Sequence, residues 1–318
     1  MSVTGVYIAM SLEPAIIRIH GRDLAYVDAG EGPALLFVHG IGGDWKTWDP
    51  VLAPVAARHR VIAVDLPGHG GSAKGAGDYS LGGMANVLRD LMGALELERA
   101  TVAGHSLGGG IAMQFAYQYP ERCERLVLVS SGGLGPDVGL LLRLATLPGS
   151  ELFLSVTAPA ARTVIGCASG AGRFLRIKPA PDAAFYGRAF AALAEPETRA
   201  AFLGTLRGVV GSRGQLVDAR DRLYLAETMP TLIVWGQRDA VIPVDHAHAA
   251  HEAMPGSRLE VFEDAGHVPQ LDDPERFAAA VEAFVDETEP SSPSEERWLE
   301  LLRPARPRRE SAPPPRRR

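Results

Sequence analysis

Short apolar runs of strand length alternate with helical patterns over the first 133 residues of the chain. Four runs are rich in aliphatic and β-branched residues, at positions 34–38, 60–65, 101–104 and 125–130. The stretches 84–97 and 107–119 have helical periodicity, and Pro120 ends the second because proline cannot continue a helix. Near-continuous apolar strands separated by helices predict a parallel sheet that is covered on both faces.

The pattern changes on either side of a long middle region. Residues 16–20 and 24–28 alternate apolar and polar positions, which predicts an antiparallel hairpin at the start of the sheet. From residue 134 to residue 228 the strand pattern disappears, and stretches rich in Ala, Leu, Arg and Gly predict a helical insertion. Strand patterns then return at 231–235 and 258–262, and an apolar helix follows at 274–284.

These patterns predict an α/β fold in which a helical cap interrupts one doubly wound sheet. The sheet core comprises residues 1–133 and 229–286, and the cap comprises residues 134–228. The last segment, 287–318, has seven prolines and eight arginines, a composition that predicts a disordered tail.

Composition adds few constraints beyond those of an ordinary globular protein. The hydrophobic fraction is 46%, and the net charge of −6 gives no general affinity for nucleic acid or anionic membranes. Two cysteines, Cys123 and Cys167, are too few for a disulfide framework and are expected to be reduced. The N-terminus lacks the pattern of a secretory signal, and residues 101–120 are too polar for a membrane span. We therefore expect a cytoplasmic protein.

A possible nucleophile lies in the pentapeptide Gly104-His105-Ser106-Leu107-Gly108, which fits the pattern G-x-S-x-G. A predicted strand ends just before it and a predicted helix begins just after it. Such a turn projects the serine hydroxyl away from the sheet, and glycines two positions on either side prevent collisions. The following helix directs its N-terminus toward the reacting oxygen, where its dipole stabilises a developing anion. Ser106 is therefore the candidate nucleophile.

Five segments in a fixed order resemble the α/β-hydrolase superfamily. The segments are His39-Gly40-Ile41-Gly42-Gly43, Asp65-Leu66-Pro67-Gly68-His69-Gly70-Gly71-Ser72, the pentapeptide around Ser106, Trp235-Gly236-Gln237-Arg238-Asp239 and Ala265-Gly266-His267. They look like the oxyanion loop, the turn after the next strand, the nucleophile elbow, the acid loop and the base loop. The resemblance, to the capped esterases and C–C hydrolases with a serine nucleophile, covers most of residues 16–286. It implies an eight-stranded, mostly parallel sheet with a cap inserted after strand six.

The catalytic base and acid are predicted from their positions in the chain. His267 follows a glycine after the last strand, and the order serine, aspartate, histidine is the one used by this fold. Asp239 follows the strand at 231–235 and is the predicted acid, while Asp264, three residues before the histidine, is its rival. His246, His248 and His251 form an H-x-H-x-x-H pattern. The first two are about 200° apart on a helix, so we expect a solvated face and no metal site.

The remaining site residues surround these loops. Oxyanion stabilisation needs two backbone N–H groups; Leu107 supplies one, and the resemblance implies Ile41 for the other. His39 and His69 are expected to brace their glycine turns. Contacts to the substrate are predicted for His39, Gly40, Val241 and Val268. Candidates to line the pocket or to pack the cap helices are Leu140, Leu141, Leu142, Leu152, Phe153, Phe185, Phe190 and Phe202.

The predicted activity is hydrolysis of a small to medium carboxylic ester through an acyl-enzyme, with no cofactor and no metal. A serine at the nucleophile position argues against epoxide hydrolases and haloalkane dehalogenases, whose counterpart is aspartate. C–C hydrolysis of ring-fission products is the alternative, although Val268 stands where many such enzymes have tryptophan and the Gly-Pro-Gly type of oxyanion loop is absent. Acyl transfer, a non-catalytic receptor and a homodimer stay open. The expected partner is a small ester or acyl compound.

Overall fold

The computed structural model describes residues 12–175, 181–292 and 294–302. These residues contain ten strands: β1 (Ala15–Ile19), β2 (Arg22–Ala29), β3 (Ala34–Val38), β4 (Arg60–Val64), β5 (Ala100–His105), β6 (Cys123–Val129), β7 (Val210–Gly211), β8 (Gly214–Gln215), β9 (Thr231–Gly236) and β10 (Arg258–Phe262). Eight of them form one sheet in the order β1-β2-β4-β3-β5-β6-β9-β10. From β4 to β10 every pairing is parallel, and β2 pairs antiparallel with both β1 and β4. The predicted eight-stranded, mostly parallel sheet and its starting hairpin are confirmed.

The described helices are α1 (Asp49–Ala56), α2 (Leu81–Ala94), α3 (Leu107–Gln118), α4 (Leu140–Ala145), α5 (Ser150–Leu175), α6 (Pro181–Ala192), α7 (Pro196–Val209), α8 (Asp245–Ala253), α9 (Pro269–Asp272), α10 (Pro274–Glu287) and α11 (Glu295–Leu302). Short 3₁₀ helices lie at Trp45–Thr47, Pro120–Arg122 and Arg220–Ala226. One face of the sheet packs against α2, α3 and α8, and the other packs against α1 and α10. Because both faces are covered, β3, β5 and β9 in the interior of the sheet are buried along their whole length, as their near-continuous apolar sequences predicted.

The cap is inserted after β6, as expected, and consists of α4, α5, α6 and α7 followed by the β7–β8 hairpin. The hairpin was not predicted, because strands of two residues leave no readable alternation. Its second strand is anchored by Gln215, whose amide accepts a hydrogen bond from Gly133 N (2.7 Å) and donates one to Asp137 O (2.9 Å). The cap is thereby tied to the loop that leaves β6.

The prediction of a disordered tail is wrong for its first half, because residues 287–292 and 294–302 are ordered in the structure. Arg125 on β6 donates to Thr288 Oγ1 (2.8 Å), and Ser291 N donates to Glu124 O (2.9 Å), so the chain after α10 runs along the core. The helix α11 follows, because the sequence EERWLELL combines good helix formers with an apolar side. The prediction for residues 303–318 lies outside the described residues.

Two further observations concern the cysteines and the length of the helices. Cys123 is a buried free thiol, and burial raises its pKa; the side chain of Cys167 lies outside the described part of the chain. Among the described residues, none of the helices has the length and apolar character needed to cross a bilayer.

Candidate active site

The candidate nucleophile Ser106 is the single residue between β5 and α3. Its backbone angles of φ 54° and ψ −115° lie in a region that residues with a side chain rarely adopt. The turn is held by the backbone, since Ser106 N donates to Val129 O on the neighbouring strand (2.9 Å). A strained turn that is held in this way is the geometry expected of a nucleophile elbow.

Both glycines of the pentapeptide are required by close backbone contacts. A Cβ atom at Gly104 would overlap the carbonyl oxygen of Gly108, and a Cβ atom at Gly108 would overlap the carbonyl oxygen of Val38. The neighbouring Gly110, in the same helix, is different, because its nearest atoms would be 3.6 Å from an added Cβ.

We expect Gly108→Ala to lower the free energy of unfolding by about 1–3 kcal/mol, because the added methyl group has only backbone to push against. The matched control Gly110→Ala should be neutral or stabilise the protein by up to about 1 kcal/mol, since alanine is the better helix former. Urea unfolding followed by circular dichroism measures both variants. Equal stability of the two variants would contradict this account of the turn.

The predicted acid and base form a buried hydrogen-bonded pair. His267 Nδ1 lies 2.8 Å from Asp239 Oδ2, and the aspartate side chain is fully buried. Its other oxygen, Oδ1, accepts hydrogen bonds from the backbone N–H groups of Val241 (2.8 Å) and Ile242 (2.9 Å). With the carboxylate accepting at Nδ1, the proton of a neutral imidazole is placed there, and Nε2 keeps its lone pair. This is the tautomer that a general base needs.

The rival acid is far from this arrangement. Asp264 has a side chain that is 89% exposed, and its Oδ1 pairs with Arg238 Nη2 at 2.6 Å. The difference follows from the loops: Asp239 lies in the loop between β9 and α8 with its side chain buried, whereas Asp264 lies in the loop after β10 with its side chain exposed to solvent.

The nucleophile turn and the base loop lie against each other. His105, the residue before Ser106, donates from Nε2 to the carbonyl oxygen of His267 (2.8 Å), and the two rings are 4.9 Å apart between centroids. The acid and base loops are also in contact, because a Cβ atom at Gly236 would overlap the carbonyl oxygen of Gly266. The structure therefore brings the loops of Ser106, Asp239 and His267 together at the carboxyl ends of β5, β9 and β10.

The predicted oxyanion loop packs directly against the nucleophile. A Cβ atom at Gly40 would lie 3.0 Å from Ser106 Cβ, and Ile41 lines the same cavity as Ser106 and Leu107. Within the described part of the chain, the backbone N–H groups of Ile41 and Leu107 have no hydrogen-bond partner. Two unpaired N–H groups beside the serine are what an oxyanion hole requires.

The four residues predicted to contact the substrate have other roles in this structure. His39 is fully buried and braces its loop: Nε2 accepts from Leu66 N (2.9 Å), and Nδ1 donates to Gly40 O (2.7 Å). Gly40 lies under Ser106, and Val268 is fully buried. Val241 uses its backbone to bind Asp239 and Gly139. None of the four lines the cavity at Ser106, and their contacts to a substrate stay a prediction.

Asp65 is a positioning residue that the sequence did not single out by role. Its carboxylate accepts hydrogen bonds from Trp45 N and Gly71 N, each at 2.7 Å, and burial raises its pKa. Its carbonyl oxygen accepts from Ser72 Oγ (2.6 Å). The turn from Asp65 to Ser72 thus supports the loop that leads from Gly43 to Trp45.

Two buried histidines beside these loops stay neutral in the folded protein. Burial lowers the pKa of His69 to about 3, and burial together with the neighbouring His267 lowers the pKa of His105 well below its usual value. Both groups gain a proton on unfolding at mildly acidic pH, because the unfolded pKa is about 6.5. The protein must therefore lose stability as the pH falls from about 6.5 toward 3.

We expect each of these histidines to contribute a slope of up to about 1.4 kcal/mol per pH unit over that range. Replacing His69 with Gln should reduce the slope by about one such contribution, whereas His248→Gln, at an exposed position of α8, should leave it unchanged. Free energies of unfolding in urea between pH 7.5 and pH 4.5 measure the slopes. If the His69 variant and the wild type have the same slope, His69 is not a buried neutral group.

The other histidine cluster corrects a prediction. His246 is buried instead of solvated, and its Nε2 faces Asp137 Oδ2 at 3.5 Å. His251 Nδ1 is bonded to Ser257 Oγ (2.8 Å), and His248 is exposed. The three rings therefore have separate surroundings, as their helical spacing required.

The cavity at Ser106 is small and apolar. Its volume is about 40 Å³, little more than the space of one water molecule. The cap covers it with Val138, with Leu142 of α4, with Leu206 and Val209 of α7, and with Val210. A substrate larger than this volume fits only if the lining residues move apart, and Leu142 of α4 is one of them.

The apolar residues that were predicted to line the pocket or to pack the cap have different surroundings in the structure. Leu142 lines the cavity, Phe185 packs on His105 at 6.0 Å between ring centroids, and Phe190 and Phe202 pack between cap helices. Both roles are wrong for Leu140, Leu141, Leu152 and Phe153, whose side chains are exposed. On α4, helical geometry sends Leu142 inward and its two predecessors outward.

The cap also contributes a carboxylate that the sequence did not indicate. Asp182 at the start of α6 accepts from His267 N (3.3 Å), and its buried Oδ1 has no partner among the described residues. Burial, with the nearby carboxylates of Asp182, Asp239 and Asp272, raises the pKa of Tyr186. No local pattern marks Asp182, because its partner lies 85 positions away in the chain.

A larger cavity of about 1170 Å³ lies between α6, α7 and the loops 42–46 and 69–74. It borders Gly42 of the oxyanion loop and is lined by charged as well as apolar residues. Ser106 and His267 do not line it, so it adjoins the candidate site without containing it.

Comparison with known proteins defines the family. The family model described as "Alpha/beta hydrolase family" matches residues 35–280, so the chain belongs to the alpha/beta hydrolase family. An uncharacterized protein of Mycobacterium tuberculosis is 49% identical over 293 residues, covering 90% of this chain and 84% of the relative. A pimeloyl-[acyl-carrier protein] methyl ester esterase of Aeromonas hydrophila is 31% identical, covering 80% and 96% of the two chains. A 2-hydroxy-6-oxo-6-phenylhexa-2,4-dienoate hydrolase of Comamonas testosteroni is also 31% identical, covering 82% and 92%.

Proposed function

We propose that this member of the alpha/beta hydrolase family hydrolyses carboxylic esters through an acyl-enzyme on Ser106. The observation that carries the proposal is the buried Asp239–His267 hydrogen bond beside a serine in a strained strand–helix turn. Asp239 orients the imidazole and stabilises its protonated form, and His267 is the general base. The predicted cytoplasmic location and the homodimer stay predictions.

In the proposed reaction, His267 takes the proton of the Ser106 hydroxyl as its oxygen attacks the ester carbonyl. The negative charge that develops on the carbonyl oxygen is stabilised by the backbone N–H groups of Ile41 and Leu107, and losing one such donor typically costs about 3–4 kcal/mol. The alcohol leaves with a proton from His267. Water activated by the same histidine then releases the acid and restores the serine.

Hydrolysis of C–C bonds is the second candidate, supported by the 31% identity to the Comamonas enzyme. Ester hydrolysis is preferred because Val268, after the base, is fully buried and makes no contribution to the cavity, and because the cavity at Ser106 is lined almost wholly by apolar side chains. Such a lining suits an acyl chain better than the polar head of a ring-fission product.

Turnover of p-nitrophenyl esters from acetate to decanoate, beside a ring-fission product, tests the proposal. We expect kcat/KM to rise from acetate to the medium chains, because each buried CH₂ group contributes about 0.8 kcal/mol. No rise beyond acetate would contradict an apolar acyl site. Cleavage of the ring-fission product without turnover of any ester would replace ester hydrolysis by the C–C reaction.

A further inference from the structure

The outer surface of the cap is apolar where a surface helix is normally polar. Nine of the described residues of α5 are exposed, and seven of these lie on one side of the helix: Leu152, Phe153, Val156, Pro159, Ala160, Thr163 and Val164, six of them apolar. At 100° per residue these seven positions lie within an arc of about 140°, and the charged Glu151 and Arg162 fall outside it. The exposed side of α5 is therefore an apolar stripe over more than three turns.

The preceding helix extends this stripe. On α4 and just after it, Leu140, Leu141, Leu144 and Leu147 are exposed, with Leu141 82% exposed. We call the exposed apolar residues of α4 and α5 the cap face. Monomeric soluble proteins rarely expose so many large apolar side chains together, and a patch of this kind marks an interaction surface.

The cap face is directly connected to the candidate site. Leu142 lines the cavity at Ser106, while Leu140 and Leu141 on the same helix are exposed to solvent. The helix α4 is thus a thin wall with the serine on one side and the cap face on the other. A partner that binds the cap face therefore contacts a helix that lines the candidate site.

The charge around the cap face has the opposite sign to that of the whole protein. Residues 139–165 and 207–216, which include α4 and the β7–β8 hairpin, carry four arginines and one glutamate, whereas the whole chain has a net charge of −6. One of these arginines, Arg162, is paired with Glu195 (2.7 Å), which leaves a net charge of +2 around the cap face. Arg143 donates to Ser212 O and Arg207 to Ser150 Oγ, both uncharged partners. Arg213 at the tip of the hairpin is exposed. Arg143, Arg207 and Arg213 have no carboxylate partner among the described residues.

We propose that the cap face is a docking surface for an anionic lipid bilayer. This inference rests on the proposed function and narrows it to esters with long acyl chains that reside in lipid. Apolar side chains in the centre enter the acyl region, and the arginines around them meet the phosphate groups. A bilayer satisfies both features at once. In a dimer built on the cap face, the arginines of one copy would lie opposite those of the other, because a twofold interface uses the same surface of both copies.

Vesicle flotation with the full chain carrying Ser106→Ala tests the inference without turnover. The probes are vesicles of phosphatidylcholine alone and of phosphatidylcholine with phosphatidylglycerol. We expect binding to the anionic vesicles, weaker binding at 0.5 M than at 0.1 M salt, and a fall of at least tenfold in the partition coefficient for Leu141→Gln/Leu152→Gln. Both positions are exposed and glutamine is a good helix former, so the variant should fold.

Matched variants separate this surface from other sources of binding. Ile16→Thr/Tyr224→Gln removes two exposed apolar side chains elsewhere and should bind as the wild type does. Arg213→Gln should weaken binding to the anionic vesicles only. The seven arginines of residues 303–318 are present in every variant, so binding that the Leu141→Gln/Leu152→Gln pair does not reduce would come from the tail and overturn the inference.

Two more outcomes are decisive. A wild-type dimer that the Leu141→Gln/Leu152→Gln pair converts to a monomer, with no vesicle binding, would assign the cap face to a second copy and overturn the inference. With Ser106 intact, the Leu141→Gln/Leu152→Gln double variant should hydrolyse soluble p-nitrophenyl butyrate as the wild type does. Its rate on a long-chain ester in vesicles should be at least tenfold lower than that of the wild type. Absence of turnover in every variant would count against the proposed function, while the binding result would stand separately.

Discussion

Replacing Ser106 with Ala is expected to lower kcat on p-nitrophenyl butyrate by about 10⁴- to 10⁶-fold. The hydroxyl is the only atom group removed, and no other part of the proposed reaction can form the acyl-enzyme. What remains is the stabilisation of the oxyanion by backbone N–H groups, which acts on direct attack by water. The melting temperature should hardly change, because the substitution removes one hydroxyl group and leaves the hydrogen bond from the backbone N–H of residue 106 to Val129 O in place.

The matched control for this variant is Ser131→Ala. Ser131 is a fully buried serine close to the nucleophile turn, and its hydroxyl donates only to the carbonyl oxygen of Gly132 (2.9 Å). Its variant should keep nearly full activity. If Ser106→Ala retained more than about one per cent of the wild-type kcat, a serine-based mechanism at this position would be excluded, since loss of a true nucleophile costs far more.

Replacing Asp239 with Asn is expected to lower kcat by about 10³- to 10⁴-fold. An amide at this position can donate a proton to Nδ1 of His267, which drives the imidazole to the tautomer with its proton on Nε2. That tautomer has no lone pair on Nε2 and cannot take the proton of the Ser106 hydroxyl. The Oδ1 atom keeps its hydrogen bonds from Val241 N and Ile242 N, so the loop should hold its shape.

Asp264→Asn is the same chemical change at the rival acid. Because that side chain is exposed and paired only with Arg238, the variant should differ from the wild type by less than twofold in kcat. Steady-state kinetics of the two variants on one ester decide between the acids. A large loss in Asp264→Asn with little change in Asp239→Asn would reverse the assignment.

The positions of the candidate site residues in the fold could be predicted because they follow from local geometry. The strand, the pentapeptide around Ser106 and the following helix form one continuous piece of chain, and the glycines report backbone contacts that any such turn must make. His267 and Asp239 follow from their places after the last two strands, since the carboxyl ends of parallel strands meet at one edge. The bracing role of His39 was also predictable from its glycine turn.

The cap could not be predicted to the same depth. Apolar periodicity shows that α4 and α5 are helices, but it assigns the apolar side to the interior, and here Leu141 and Leu152 lie on the exterior. His246 was misassigned for the opposite reason, because a polar residue was assumed to face solvent while packing buries it. Asp182 lies beside His267 only through the placement of α6 on the core, which no nearby residue indicates.

The central claim is that the imidazole of His267, oriented by Asp239, makes the hydroxyl of Ser106 reactive enough to carry the acyl group. Rapid acid quench during turnover of a p-nitrophenyl ester, followed by peptide mass spectrometry, tests it most directly. The account predicts that the acyl mass of the ester appears on the peptide containing Ser106 and on no other. Steady turnover with that peptide unmodified, or with the acyl group on a different residue, would contradict it.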